Sequence, residues 1–176
     1  MRVLRIPALV LACLWVISCS AQAFDIAGRI VGVVDGDTVD IVTASTGSHR
    51  VRLSSIDAPE RSQAFGQRSK EHLSGLVFGR EVIARCSKME QRPTGQRNRA
   101  LCKIYLEGLD INLVQVQDGF AWHYTAYARE QPLGERLAYA KAETSAREAK
   151  RGLWSDPLPI QPWDWRHKAS SARALP

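Results

Sequence analysis

The stretch GRIVGVVDGDTVDIVTASTGSHRVRLSSIDAPE, residues 28–60, decides the fold. Gly28 to Val34 is rich in Ile and Val, side chains that fit a pleated, half-buried surface. Asp35-Gly36 is a tight-turn signal, and Thr38 to Thr43 resumes the alternation of a strand. Thr46-Gly47-Ser48 marks the next turn. Arg50 to Ile56 reads as a third strand, with Val51, Leu53 and Ser55 on one face and Arg50, Arg52 and Ser54 on the other. Pro59 ends it.

Beyond Pro59 the pattern changes period. A helix is predicted over Ala64 to Val77, with Leu73, Leu76 and Val77 as its apolar face and Gly79 as its stop. Glu81 to Cys86 is a fourth strand. Ser87 to Asn98 is polar, carries Pro93 and Gly95, and reads as a long loop. Arg99 to Leu106 is a fifth strand. Ile111 to Gln117 is a short helix ended by Gly119, and Leu133 to Lys150 is a long Ala-rich helix with Gly152 beyond it. Trp122 is expected in packing and His123 at the surface. From Asp156 the chain carries Pro157, Pro159 and Pro162 with Trp163 and Trp165, and reads as an extended tail, disordered after His167. Five short strands with a helix between the third and fourth imply a mainly β, α+β fold. The expected architecture is a five-stranded OB-fold-like antiparallel barrel with about three packed helices.

The chain has 176 residues, enough for one domain with a core of its own. Its first 23 residues have the form of a signal peptide: Arg2 and Arg5, an apolar run from Ile6 to Ile17, and the small-x-small site Ala21-Gln22-Ala23. A second processing site overlaps it, since Val16-Ile17-Ser18-Cys19 is similar to a bacterial lipobox and would place a lipid anchor on Cys19. Either way the chain is exported, to the periplasm or the medium, and no segment is long enough for a stable membrane span. The domain then runs from 24 to 155 and the Pro/Trp tail from 156 to 176. The formal charge is +6. Losing Arg2 and Arg5 with the leader leaves about +4, which suits a polyanionic partner. Outside the leader stand two cysteines, Cys86 and Cys102. In an exported protein such a pair is first a disulfide candidate, two buried thiols being the alternative.

Hydrolysis of a phosphodiester calls for a hard cation, a base for water, and cationic donors around the phosphorus. Asp37 follows the first turn, Asp57 ends the third strand, and Glu60 follows Ala58-Pro59. Carboxylates at such positions can gather oxygen ligands for calcium. Pro59 restricts Ala58 to extended backbone, which can aim the Ala58 carbonyl at the ion. Arg52 and Arg99 offer guanidinium forks for a phosphate. Strand parity alone puts Arg52 and Asp57 on opposite faces, so bringing them together requires a bend or bulge near Ile56.

Val34-Asp35-Gly36-Asp37-Thr38-Val39, Val51-Arg52-Leu53, Ile56-Asp57-Ala58-Pro59-Glu60 and Arg99 at a strand start, in this order, resemble the staphylococcal nuclease (thermonuclease) family. Gly119-Phe120-Ala121 and Ala149-Lys150-Arg151-Gly152-Leu153-Trp154 are similar too. The resemblance implies that Asp37, Asp57 and the Ala58 carbonyl ligate Ca2+, that Glu60 is the general base, and that Arg52 and Arg99 bind the phosphate. It implies hydrolysis of DNA and RNA to 3′-phosphate ends by a monomer. Ala58 replaces the family's usual threonine, and Arg97-Asn98 replaces its usual Tyr-Gly. Arg97 is therefore a candidate phosphate contact, and Tyr124 and Tyr127 are candidates for base stacking. The alternative is a catalytically inactive nucleic-acid-binding barrel, against which retention of all five charged residues speaks. A cell-envelope interaction protein using Pro162 to Trp165 is a third reading.

Overall fold

The structure, a computed structural model, describes residues 23–173. The leader up to Gln22, with the Cys19 site, and the last three residues lie outside the described residues. Five long strands form the barrel: β1 (Phe24–Asp35), β2 (Thr38–Thr43), β3 (Gly47–Leu53), β5 (Glu81–Glu90) and β6 (Arg99–Leu106). Between β3 and β5 come the two-residue strand β4 (Ile56–Asp57) and helix α1 (Gly66–Val77). After β6 come β7 (Leu109–Asp110), α2 (Ile111–Gln117), β8 (Trp122–His123), a 3-10 segment (Thr125–Glu130), α3 (Leu133–Glu148), a 3-10 turn (Gly152–Ser155) and α4 (Pro162–Arg173).

The sheet order is β3-β2-β1-β5-β6-β7, and β3 also pairs with β6, which closes the barrel. That closing pair is parallel, with Arg52 opposite Leu101, so the barrel is mixed rather than wholly antiparallel. Strand β1 serves two neighbours, β5 along its first half and β2 along its second, with register shifts at Ile30/Gly32 and Val33/Asp35. Such irregularities bend a strand and let a short sheet curl shut. Inward positions recur every second residue and are apolar: Ile26 and Ile30, Val39 and Ile41, Val51 and Leu53, Val82 and Ala84, Ala100 and Ile104. Leu73 and Val77 of α1, Ile111 and Val116 of α2 and Tyr139 of α3 cover the same core.

The third predicted strand divides in two. After Leu53 the chain turns through Ser54 and Ser55, and Ser55 has φ 68°. Ile56–Asp57 then pairs with Trp122–His123 instead of continuing β3. This is the bend that strand parity required, placed one residue earlier. It is held from three sides: Ser54 N–H donates to the Cys102 carbonyl at 2.8 Å, buried Asn112 Nδ2 donates to the Ser54 carbonyl at 3.0 Å, and Tyr124 N–H donates to the Ser55 carbonyl at 2.9 Å.

Other expectations shift. Strand β5 runs on to Glu90, paired to Arg99, so the loop shrinks to residues 91–98. His123 is buried, its Nε2 2.9 Å from Gln131 Oε1, because β8 pairs beneath α3. The tail is helical from Pro162 to Arg173 rather than extended and disordered. Pro162 sits at the first helical position, where a missing N–H costs nothing. Trp163 of this helix packs on Trp122, which with Trp154, Leu153 and Ala146 forms a second apolar cluster. Among the described residues no helix is long and apolar enough to cross a membrane.

Cys86 and Cys102 are directly opposed on β5 and β6 and form a disulfide. Replacing both with serine should lower the unfolding free energy by roughly 3 kcal/mol on the chain-entropy scale for a loop of this length. Urea denaturation of the oxidised protein and the double variant checks this, and equal stabilities would contradict it.

Candidate active site

The turn after β1 is built for close approach. A Cβ on Gly36 would lie 1.9 Å from Ser69 Oγ and 2.7 Å from Ala58 Cβ, so only glycine fits between α1 and the β4 exit. Fully buried Gln115 of α2 donates to the Gly36 carbonyl at 2.7 Å, and His72 stacks on Phe120 while hydrogen bonding the same Gln115 amide. The turn therefore delivers Asp37 at a fixed place. Asp37 Oδ1 accepts from Thr38 Oγ1 at 2.9 Å and Oδ2 accepts from the Ala58 N–H at 3.1 Å. The Leu53 N–H donates to the Asp37 carbonyl at 2.8 Å, tying this turn to the end of β3.

Arg52 leaves the outer face of β3 and reaches both aspartates. Its Nη2 lies 2.6 Å from Asp57 Oδ1 and 3.1 Å from Asp37 Oδ2. Asp57 and Asp37 are 1% and 3% exposed, so two carboxylates stand almost out of water with one guanidinium nitrogen between them. Burial works against the Arg52 charge, but Asp37 and Asp57 outweigh it and hold the guanidinium firmly protonated. Asp57 is pushed above the usual carboxylate range, first by burial and further by Asp37, against the pull of its two arginines.

The second arginine on Asp57 was not visible in the sequence pattern. Arg166 of α4 donates through Nη2 to Asp57 Oδ2 at 2.7 Å and through Nη1 to Glu60 Oε1 at 2.8 Å. Glu60 thus lies on the rim of the same cluster, its N–H capped by Gln63 Oε1 at 3.1 Å. The one available signal for Arg166 was Pro162 as a helix start; nothing local links it to Asp57, 109 positions away.

The remaining candidates lie around this centre. Arg99 shares the outer face of the β3–β6 pair with Arg52, since Leu101 is opposite Arg52, and its Nε pairs with Glu90 at 2.6 Å. The structure pairs it with that acid rather than with the aspartates. Arg97 is further out and pairs with Asp40 at 3.5 Å. Tyr124 and Tyr127, ring centres 5.7 Å apart, line a cleft of about 600 Å3 shared with Arg52, Ser54, Lys88 and Lys103. Of Ala58, the N–H is the group that contacts Asp37.

The donor set at the centre is all oxygen, which suits a hard cation. Among the described residues no three His, Cys, Asp or Glu side chains form a metal-binding group. The two aspartates would therefore need a backbone carbonyl and water beside them to complete a shell, and an extra positive charge would relieve the buried, raised Asp57.

Residues 50–156 match the family described as Staphylococcal nuclease homologue. An "Uncharacterized endonuclease" of Haemophilus influenzae is 39% identical over 140 residues, 80% of this chain and 72% of that protein. A "Micrococcal nuclease" of Shigella flexneri is 34% identical over 174 residues, 94% of each chain. "Protein ParB" of Escherichia coli is 35% identical over 159 residues, 85% of this chain and 84% of that one. The chain belongs to the staphylococcal nuclease homologue family, and its function class is that of a nuclease, a hydrolase. The matched span holds Arg52, Asp57, Glu60 and Arg99; Asp37 precedes it and Arg166 follows it.

Asp35 adds a measurable property. Burial first, and then the Asp37 charge, push its carboxyl up to about 7 from 3.8. In the metal-free protein the folded state therefore holds a proton that the unfolded chain has lost. Below about 4 both forms are protonated and there is no penalty. Stability should fall as pH rises from there, reaching its full loss above about 7. Asp35→Asn keeps the acceptor for the Asp37 N–H and should flatten that slope, measured by urea denaturation across pH in chelator. An unchanged slope would contradict the assignment.

Proposed function

We propose that this nuclease is an exported, calcium-dependent phosphodiesterase that cuts DNA and RNA and leaves 3′-phosphate ends. The observation that carries the reading is the convergence of Asp37 and Asp57 on Arg52, with Glu60 on the rim. Ca2+ held by Asp37, Asp57 and the Ala58 carbonyl would supply Lewis-acid polarisation of the phosphate. Glu60 takes a proton from water, whose oxygen bonds to phosphorus as the bond to the 5′ oxygen breaks; that oxygen leaves with the bonding pair and takes a proton from solvent. Arg52 neutralises charge growing on the non-bridging oxygens. Arg99 exchanges Glu90 for the phosphate from the neighbouring strand, and Arg97 meets the backbone further along. Tyr124 and Tyr127 stack bases in the cleft they line together.

The leader is cleaved after Ala23 to give a periplasmic or secreted monomer; lipidation at Cys19 is the other route. The leader residues named above support export, and the charge of about +4 that remains once Arg2 and Arg5 leave with the leader supports a polyanionic substrate. Incubation with single-stranded DNA or RNA in Ca2+ should give fragments with 3′-phosphate ends, and a calcium chelator should abolish cleavage. Full activity in chelator would defeat the metal assignment. Products with 3′-hydroxyl ends would defeat the assigned bond, and no cleavage in Ca2+ would favour a binding module.

A further inference from the structure

Helix α4 is fastened to the domain on several sides. Trp163 packs edge-on against Trp122, ring centres 5.9 Å apart, and lies 5.4 Å from Tyr124. Gln63 Nε2 donates to the Ile160 carbonyl at 2.6 Å, while the same amide accepts from the Glu60 N–H. Trp165 borders a small cavity with Phe65 and Leu153. The loop that carries Glu60 and the segment that carries α4 are thus joined, and Arg166 is delivered to one place.

At that place Arg166 Nη1 and Nη2 donate to Asp57 Oδ1 and Oδ2 at 3.2 and 2.7 Å, and Nη1 also reaches Glu60. The pair is not an ordinary surface ion pair, because Arg166 is 42% exposed but the Asp57 side chain only 1%. With Arg52 also on Oδ1, the two Asp57 oxygens accept three guanidinium N–H groups. A cation seeking Asp57 must compete for those lone pairs and meets like charge at ligand distance. Arg52 is fixed in the barrel wall by β3, whereas Arg166 comes from a helix laid on the outside.

We propose that Arg166 sets the cation affinity of the active site: in the metal-free protein its guanidinium occupies Asp57 and Glu60, and a divalent cation must take Asp57 from it. The proposal rests on the reading that Asp37 and Asp57 hold Ca2+. Glu60 remains as a second anchor, so α4 keeps its seat when Asp57 is given up. The family match ends at residue 156, so this control belongs to the segment that follows the matched span.

The test is calorimetric titration of Ca2+, without substrate, into the wild type, Arg166→Ala, Arg166→Met and Lys168→Ala. Arg166→Met keeps an alkyl stem against the domain if the alanine variant undocks. Lys168→Ala removes the same charge from the same helix without the contact. Near-ultraviolet circular dichroism reports whether the Trp122–Trp163 packing is retained. Both Arg166 variants should bind Ca2+ about tenfold more tightly, the scale of losing a competing charge-assisted hydrogen bond, with Lys168→Ala close to wild type. Unchanged or weaker binding in the Arg166 variants overturns the proposal and makes Arg166 a support of the site. An equal gain in Lys168→Ala also overturns it, as an effect of net charge. If neither wild type nor variants bind Ca2+, the calcium reading falls with it, whereas binding at one common affinity defeats the role of Arg166 alone.

Discussion

Two ionised aspartates that are nearly out of water repel each other strongly unless a cation stands between them or one takes up a proton. Here that cation is the Arg52 guanidinium, within 3.1 Å of Asp37 and 2.6 Å of Asp57. Much of the local architecture serves this contact. Arg52 must lie on the outer face of β3, next to inward Val51 and Leu53. The chain must then reverse its parity before Asp57, which Ser55 does in the left-handed region. The Asp37 turn must pass close enough to α1 and Ala58 that Gly36 has no room for a side chain. Gln115, Asn112 and Ser69 are polar residues in the core, and each hydrogen bonds the backbone around this centre rather than packing as an apolar residue would.

The barrel was legible because period-two alternation is strong in residues 28–56 and 99–106, and the turn residues between them are unambiguous. Its parallel closure was not, because β3 and β6 are paired across about fifty residues and neither carries a local mark of direction. Of the residues picked out by motif order, Asp37, Arg52, Asp57 and Glu60 come together and Arg99 pairs with Glu90 instead, and the need for a bend between Arg52 and Asp57 followed from parity. The bend itself fell on a serine, a residue with no strong preference for positive φ, and tertiary bonds from Asn112 and Tyr124 hold it there. The prolines after Asp156 were read as breakers throughout. Two of them are, but Pro162 opens α4, and with the helix came Arg166. No periodicity reports on an ion pair between residues so far apart.

The charged centre and the aromatic cleft meet at Arg52. Arg52 belongs to both: its guanidinium faces the aspartates, and its side chain lines the cleft with Tyr124 and Tyr127. A polyanion whose bases lie on the tyrosines would place its phosphates near Arg52 and, on the adjacent strand, Arg99. Glu90 holds Arg99 in this state, and Arg166 holds Glu60. Two residues assigned to chemistry are therefore each paired with an oppositely charged side chain of the protein itself.

On the proposed reading, the planar fork of Arg52, joined to Asp37 and Asp57, stabilises the reacting phosphate. Arg52→Lys keeps the charge and removes the fork. The direct measurement is single-turnover cleavage of single-stranded DNA at saturating Ca2+, in a variant whose circular dichroism matches wild type. The rate should be lower by about 100-fold or more, the scale for losing one oriented donor to a charged transition state. A rate equal to wild type would contradict it.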